Sequence, residues 1–209
     1  MASVVAGSVL HLFRKTPGTE LTERQTNLRF SPEGIAQTRR YSPLRQVLVT
    51  ASNDIAELGY LPGELHENIV VDFPRLQDLA SGSVLAVGTA LIQLTFHCEP
   101  CSVIQKYGSL KPLIHRRGVL GKFLNAGVIE IGDTVFVTTR KEEFIPYDAK
   151  ERIAWFLLKQ NEPVSAARLL FEIGLPAGYA RALPAILRKL PFLPSDRVLF
   201  ASKRPARAH

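Results

Sequence analysis

Cysteine is nearly absent from this 209-residue chain: Cys98 and Cys101 are the only two, and they share one Cys-x-x-Cys motif. Two cysteines cannot build the disulfide framework of a small secreted protein, so a reducing compartment is expected. Also missing is any apolar run near the roughly 20 residues that span a bilayer. No basic segment precedes the first apolar stretch, Met1-Ala-Ser-Val-Val-Ala-Gly-Ser-Val-Leu10, which reads as mature protein rather than a signal peptide. These absences lead us to expect a cytoplasmic protein without a membrane partner. Acidic residues are scarce at the end of the chain, where residues 150–209 hold eleven Lys and Arg against four Asp and Glu. The net charge of the whole chain is +7, so the basic excess lies entirely in those 60 residues. That asymmetry predicts two units with different partners.

What is present fits a folded protein. Hydrophobic residues make up 46% of the chain and charged residues 22%, which excludes global disorder. Residues 1–145 read mostly as strands and turns. Ser3–Phe13, Arg45–Thr50 and Glu67–Phe73 are strand-like, and Asn53–Leu58 is expected as a helix capped by Ser52. Ser83–Val87 and Ala90–Phe96 flank Gly88 as a hairpin. Val128–Ile131 and Thr134–Thr139 flank Gly132-Asp133 in the same way. Short strands at this spacing predict a barrel or sandwich. From Asp148 the period becomes helical, with helices expected from Ile153, over Ser165–Ile173 and over Ala177–Leu190. Pro184 shifts the start of the last helix or kinks it. The fold class is therefore α+β: a β domain over 1–145, a basic helical domain over 148–200 and a basic tail over 201–209.

The Cys-x-x-Cys segment follows a strand and precedes a short helix, which places Cys101 near a helix N-terminus. Amide groups there favour the thiolate that ligates soft metals, carries sulfur or attacks electrophiles. Buried structural cysteines, a dithiol redox pair and zinc held by His97, Cys98, Cys101 and His115 are the other readings. Zinc is not favoured, because adjacent His97 and Cys98 rarely bind one ion and there is no second Cys-x-x-Cys. The βαβ context of a thioredoxin-like redox motif is also missing.

Three stretches resemble the MOSC domain family, named for the C-terminal domain of molybdenum cofactor sulfurase. They are Leu61-Pro-Gly-Glu-Leu-His-Glu-Asn-Ile69, the run from Gly82 through Pro100-Cys101, and Arg116-Arg-Gly-Val-Leu-Gly121 with Gly127-Val-Ile-Glu-Ile-Gly-Asp-Thr-Val135. The resemblance implies a β-barrel with a functional cysteine at Cys101, assisted by Cys98 as a resolving or neighbouring thiol. It also implies molybdenum cofactor (molybdopterin) binding with Cys101 as metal ligand, or carriage of sulfur from a pyridoxal-phosphate cysteine desulfurase. Reduction of N-hydroxylated compounds, with a reductase as electron donor, is a further implication. Glu67, Asn68, Arg116, Arg117 and Lys122 are the candidate cofactor-binding residues, with His66 and His115 as hydrogen-bonded scaffolding. The family's Gly-x-x-Gly-Asp-x-His element is replaced by Gly34-Ile-Ala-Gln-Thr-Arg-Arg-Tyr41, which lacks both acid and histidine; Arg39 and Arg40 could meet a cofactor phosphate there.

Residues 163–198 resemble the helix-turn-helix part of the DNA alkyltransferase family, through Gly174-Leu-Pro-Ala-Gly-Tyr-Ala-Arg-Ala-Leu-Pro184 and Pro194-Ser-Asp-Arg-Val198. The match puts Arg181 at the arginine that enters the base stack. It puts Ser195 and Asp196 at the acceptor cysteine and its histidine, and Ala166 at a tyrosine, so alkyl transfer is excluded and DNA binding is what survives. Arg168, Tyr179, Arg181, Arg188, Lys189 and Arg197 are the candidate nucleic-acid contacts. The main alternative function is thus a non-catalytic nucleic-acid-binding protein on a degenerate MOSC scaffold.

Overall fold

The computed structural model describes residues 3–16, 22–38, 42–193 and 197–200. Two compact units divide between Tyr147 and Asp148. In the first, the elements run β1 (Ser3–Lys15), β2 (Thr22–Gln25), β3 (Asn27–Ser31), β4 (Gly34–Ile35), β5 (Val47–Ala51), α1 (Ser52–Glu57), β6 (Ile69–Val71) and β7 (Ser83–Val87). They continue with β8 (Ala90–His97), α2 (Ser102–Gln105), β9 (Val119–Phe123), β10 (Gly127–Glu130) and β11 (Thr134–Lys141).

Seven strands close into a barrel in the ring order β1-β11-β7-β8-β9-β5-β6, with β6 returning to β1 and β2 extending the sheet. Closure rests on the length of β1. Its start pairs with β11, its middle (Val9–Leu12) with β6 and its end with β2. Each partner needs the strand at a different angle, and β1 supplies the bend with irregularities at Val5/Gly7 and Val9/His11. Gly7 is required at the first, because a Cβ there would lie 1.6 Å from the Asp72 carbonyl oxygen. β5 and β6 are parallel and buried along their whole length, so they read as apolar runs without alternation. The main core gathers Val9, Leu12, Val49, Ile69, Leu85, Ile92, Leu94 and Ile129. A second cluster of Phe13, Ile55, Leu65, Val70, Ile104 and Leu113 anchors α2 through the fully buried Ile104. One such isoleucine contributes about 1.5–3 kcal/mol.

Three expectations for this unit are corrected. Gly132-Asp133 does not close a hairpin: β10 pairs with β3, and β11 with β1 and β7. The turn is captured by β1 instead, through Gly132 N–H to Val9 O (2.8 Å) and Val9 N–H to Asp133 O (2.9 Å). Ser52 is not a cap; α1 begins with it, and Ala51 holds the cap position without a side-chain bond. Glu67–Phe73 narrows to Ile69–Val71. β2, β3 and β4 form in a stretch where no element is expected, although β3 alternates, burying Leu28 and Phe30 and exposing Asn27 and Arg29.

The second unit contains α3 (Ala149–Leu157), β12 (Val164–Ser165), α4 (Ala166–Glu172), α5 (Leu183–Arg188) and β13 (Val198–Leu199). Asp148 caps α3 by accepting from Lys150 and Glu151 N–H, and the Ser165 hydroxyl caps α4. Ile153, Leu157, Leu169, Ile173, Leu183 and Leu187 form its core. The single helix expected over Ala177–Leu190 is two pieces, a 3-10 turn over Ala177–Arg181 and α5, with Pro184 in the first turn of α5 where its missing N–H costs no bond. β12 and β13 pair in parallel, a contact that joins residues too far apart in sequence to anticipate. The tail 201–209 and Ser195 and Asp196 lie outside the described residues. No described helix is long and apolar enough to cross a membrane.

Candidate functional site

The chain leaves β8 at His97 and continues the ladder for one more bond, Cys98 N–H to Gly118 O at 2.9 Å. It then runs through Glu99 and Pro100 without a turn or bend, and Cys101, in extended conformation, holds the cap position of α2. That helix is one turn long and the Cys101 side chain makes no cap bond. The charge beside it comes from Arg117. This guanidinium is 5% exposed and is held by Leu65 O (3.3 and 3.1 Å from Nε and Nη2) and Glu99 O (2.7 Å from Nη1). The same Nη1 donates to Cys101 Sγ at 3.4 Å. Thr50 Oγ1 donates to Arg117 O at 3.0 Å and fixes the backbone. Gly118 completes the fit: its φ is +128°, and a Cβ would meet Thr50 Oγ1 at 2.4 Å and Val49 O at 2.5 Å.

Cys101 and Arg117 line a cavity of about 190 Å³ together with Lys15, Arg45, His66 and Asn68, and no acidic side chain lines it. Three cations and one partly exposed sulfur therefore face a small chamber, an arrangement suited to an anion with a soft or electrophilic centre. His66 adopts φ +58°, a left-handed conformation costly for a residue with a Cβ, and its Nδ1 lies 3.4 Å from Thr22 Oγ1.

The other sequence candidates separate. Cys98 lines the same cavity but is 3% exposed, and burial pushes its thiol pKa up against the opposing pull of Arg117 and Arg45. Asn68 is structural: it accepts from Leu48 N–H (2.9 Å) and donates to Phe13 O (3.3 Å), tying β5 to β1. Glu67 is fully buried beside Arg117, accepts from Gly63 N–H, and leaves Oε2 without a partner; burial raises its carboxyl pKa. Arg116 turns away from the cavity to Asp54 (2.9 Å) and Glu57. Lys122 sits on β9 opposite Gln93, outside the lining. Both arginines are adjacent in sequence, yet only Arg117 reaches the sulfur. Arg39 and Arg40 lie outside the described residues. Among the described residues, no group of three or more His, Cys, Asp or Glu could hold a metal ion, so the His97–Cys98–Cys101–His115 zinc set does not assemble. Sequence reasoning missed Lys15 and Arg45, which come from other parts of the chain and carry no local motif.

In the helical unit, Tyr179, Arg181, Arg188 and Lys189 are exposed. Arg168 lies 3.8 Å from Glu172. Arg197 is half-buried and donates to Gln160 O at 2.6 Å, so it is a structural residue rather than an open phosphate contact.

The model of the MOSC domain family matches residues 36–136, a stretch that holds β5 to β10, the start of β11 and the cysteine segment. Among solved structures, the YuaD protein from Bacillus subtilis superposes with a TM-score of 0.56 at 18% identity, covering 68% of this chain and 99% of that one. A hypothetical protein gives 0.53 at 17% identity, covering 90% and 91%. YiiM from Geobacillus stearothermophilus gives 0.49 at 16% identity, covering 89% and 100%. No curated protein matches the sequence. The first two likenesses are of fold; the family match ends before the helical unit.

Proposed function

We propose that this MOSC barrel binds a molybdenum cofactor in the Arg117 cavity, with Cys101 as the sulfur ligand. The observation that carries the reading is the buried guanidinium of Arg117 fixed by two carbonyls and pointing one N–H at Sγ, in a chamber whose only charged lining side chains among the described residues are Lys15, Arg45 and Arg117. The residues fit the group. A pterin cofactor brings phosphate, which Lys15 and Arg45 can neutralise, and a soft metal, which a cysteine sulfur ligates. At about 190 Å³ the chamber is smaller than the roughly 300 Å³ of ordinary small-molecule sites, so it receives one end of such a ligand. When bound, molybdenum supplies two-electron chemistry, and reduction of N-hydroxylated substrates with a partner reductase is the activity to screen. The deciding measurement is molybdenum and pterin content in protein from a cofactor-producing host. Wild type should carry both, Cys101→Ser should lose molybdenum, and Arg117→Met should lose most of it. Absence of molybdenum from wild type, with a 32 Da gain on Cys101 after exposure to a cysteine desulfurase and cysteine, would replace cofactor ligation by sulfur carriage.

A second reading belongs to the helical unit, on the observation that Arg181, Arg188 and Lys189 are exposed and unpaired with any acid among the described residues, next to exposed Tyr179. Localised charge with an aromatic surface suits a nucleic-acid backbone and its bases. Binding of a fluorescent DNA oligonucleotide should fall steeply with salt, and Arg181→Ala with Arg188→Ala should reduce the logarithmic salt slope by about 2. A slope that does not change in the double variant removes this surface from consideration.

A further inference from the structure

A second cavity of about 190 Å³ lies apart from the cysteine chamber, with none of its lining residues in common, and belongs wholly to the barrel unit. Its walls are mostly apolar, with Phe96, Val119, Phe144 and Ile145 among them; Ser81 Oγ accepts from Ile145 N–H, Thr95 Oγ1 donates to Leu44 O, and the polar ring groups are His97 and Tyr147. His115 packs against both rings, with centroids 5.1 Å from His97 and 5.0 Å from Tyr147. The Tyr147 hydroxyl is engaged, donating to Glu99 Oε1.

The protonation of His97 follows from a chain of fixed donors and acceptors. Arg116 Nε donates to Asp54 Oδ1 at 2.9 Å. Gln77 Nε2 donates to Asp54 Oδ2 at 3.2 Å, and an ionised carboxylate only accepts, so the Gln77 amide is oriented with its oxygen outward. That oxygen lies 3.1 Å from His97 Nδ1, which must carry the proton. Nε2 is left as an acceptor, without a hydrogen-bond partner among the described residues. Burial, with His115 adding to it against Glu99, lowers the His97 pKa and keeps the ring neutral.

We propose that this second cavity binds a neutral single-ring aromatic molecule bearing one O–H or N–H, which donates to His97 Nε2. Size supports one ring: an apolar cavity of about 150 Å³ takes up benzene, and this one adds room for a small substituent. The rings of Phe96, Phe144, His97 and Tyr147 supply edge and face contacts that favour an aromatic over an aliphatic guest. The oriented nitrogen then selects a donor over an isosteric molecule without one. Arg116, read from sequence as a cofactor contact, acts here as a positioning residue at the far end of the chain that sets the His97 tautomer.

The inference is independent of cofactor binding at Cys101. Phenol and anisole, titrated into the full chain while the histidine ring nitrogens are followed by NMR, test it. Both should bind saturably, phenol about fivefold more tightly, the worth of one net neutral hydrogen bond. Only phenol should move the His97 Nε2 resonance. His97→Ala should abolish the preference while retaining anisole binding, and Cys101→Ser should leave both affinities unchanged. If His97→Ala does not fold, the wild-type ratio and the Nε2 shift decide alone. Equal affinities in wild type, no saturable binding of either probe, or loss of the preference in Cys101→Ser would overturn the proposal.

Discussion

Replacing Arg117 tests the geometry of the cysteine chamber most directly. In wild type, its buried guanidinium satisfies Leu65 O and Glu99 O and donates to Cys101 Sγ. Arg117→Met keeps much of the side-chain volume but leaves two carbonyls without their donor. Each unsatisfied buried acceptor costs about 1–3 kcal/mol, partly offset because a buried charge no longer has to be desolvated. The net expectation is a loss of about 2–4 kcal/mol, which for a chain of this size lowers the melting temperature by about 5–15 °C. Arg117→Lys restores the charge but not the planar fork, so it should recover about half of the loss. Chemistry at Cys101 is the second readout. Alkylation of Cys101 by iodoacetamide should change in rate in Arg117→Met, because the guanidinium that contacts Sγ at 3.4 Å is gone. Lys122→Met, outside the chamber, should change stability by less than about 0.5 kcal/mol and leave alkylation unchanged. Melting within 2 °C of wild type and an unaltered alkylation rate, both in Arg117→Met, would refute the account of the fork and of the sulfur contact.

Alkylation should label Cys101 fast and Cys98 slowly, because Cys98 is 3% exposed and its thiol pKa is raised by burial; time-resolved mass spectrometry of Cys98→Ser and Cys101→Ser separates the two, and equal rates would contradict the burial argument. Glu67 is buried with its pKa raised above the ordinary 4.5, so the folded state holds its proton more tightly than the unfolded chain and loses stability as pH rises above that value. Glu67→Gln should accordingly melt above wild type at pH 7, with the difference disappearing below about pH 4.5; a difference independent of pH would show that another effect dominates. Gly118→Ala should cost at least about 2 kcal/mol in denaturant unfolding, since both the +128° φ and the Thr50 and Val49 oxygens oppose a Cβ.

Much of this protein could be read from local pattern. The β8 strand and its hairpin with β7, the change of period at Asp148 and the position of Cys101 between strand and helix are properties of neighbouring residues. Short-range sterics and hydrogen bonds fix them, so a sequence alone determines them. The confinement of the basic excess to residues 150–209 is likewise a fact of sequence. Tertiary structure decided what depends on which distant residues meet. Barrel closure needed one strand to pair with three partners. Gly132-Asp133 has hairpin chemistry, and Asp133 N–H makes the local bond to Glu130 O, yet Gly132 N–H and Asp133 O pair with Val9, because closing the sheet satisfies groups that the turn leaves open. Arg116 and Arg117 are indistinguishable by type and spacing, and only the fold sends one to Asp54 and the other to Cys101. The same holds for His97, whose ring carries its proton on Nδ1 because Asp54, 43 positions earlier, orients Gln77. A side chain's type sets which bonds it can make; the surrounding structure sets which of them are within reach.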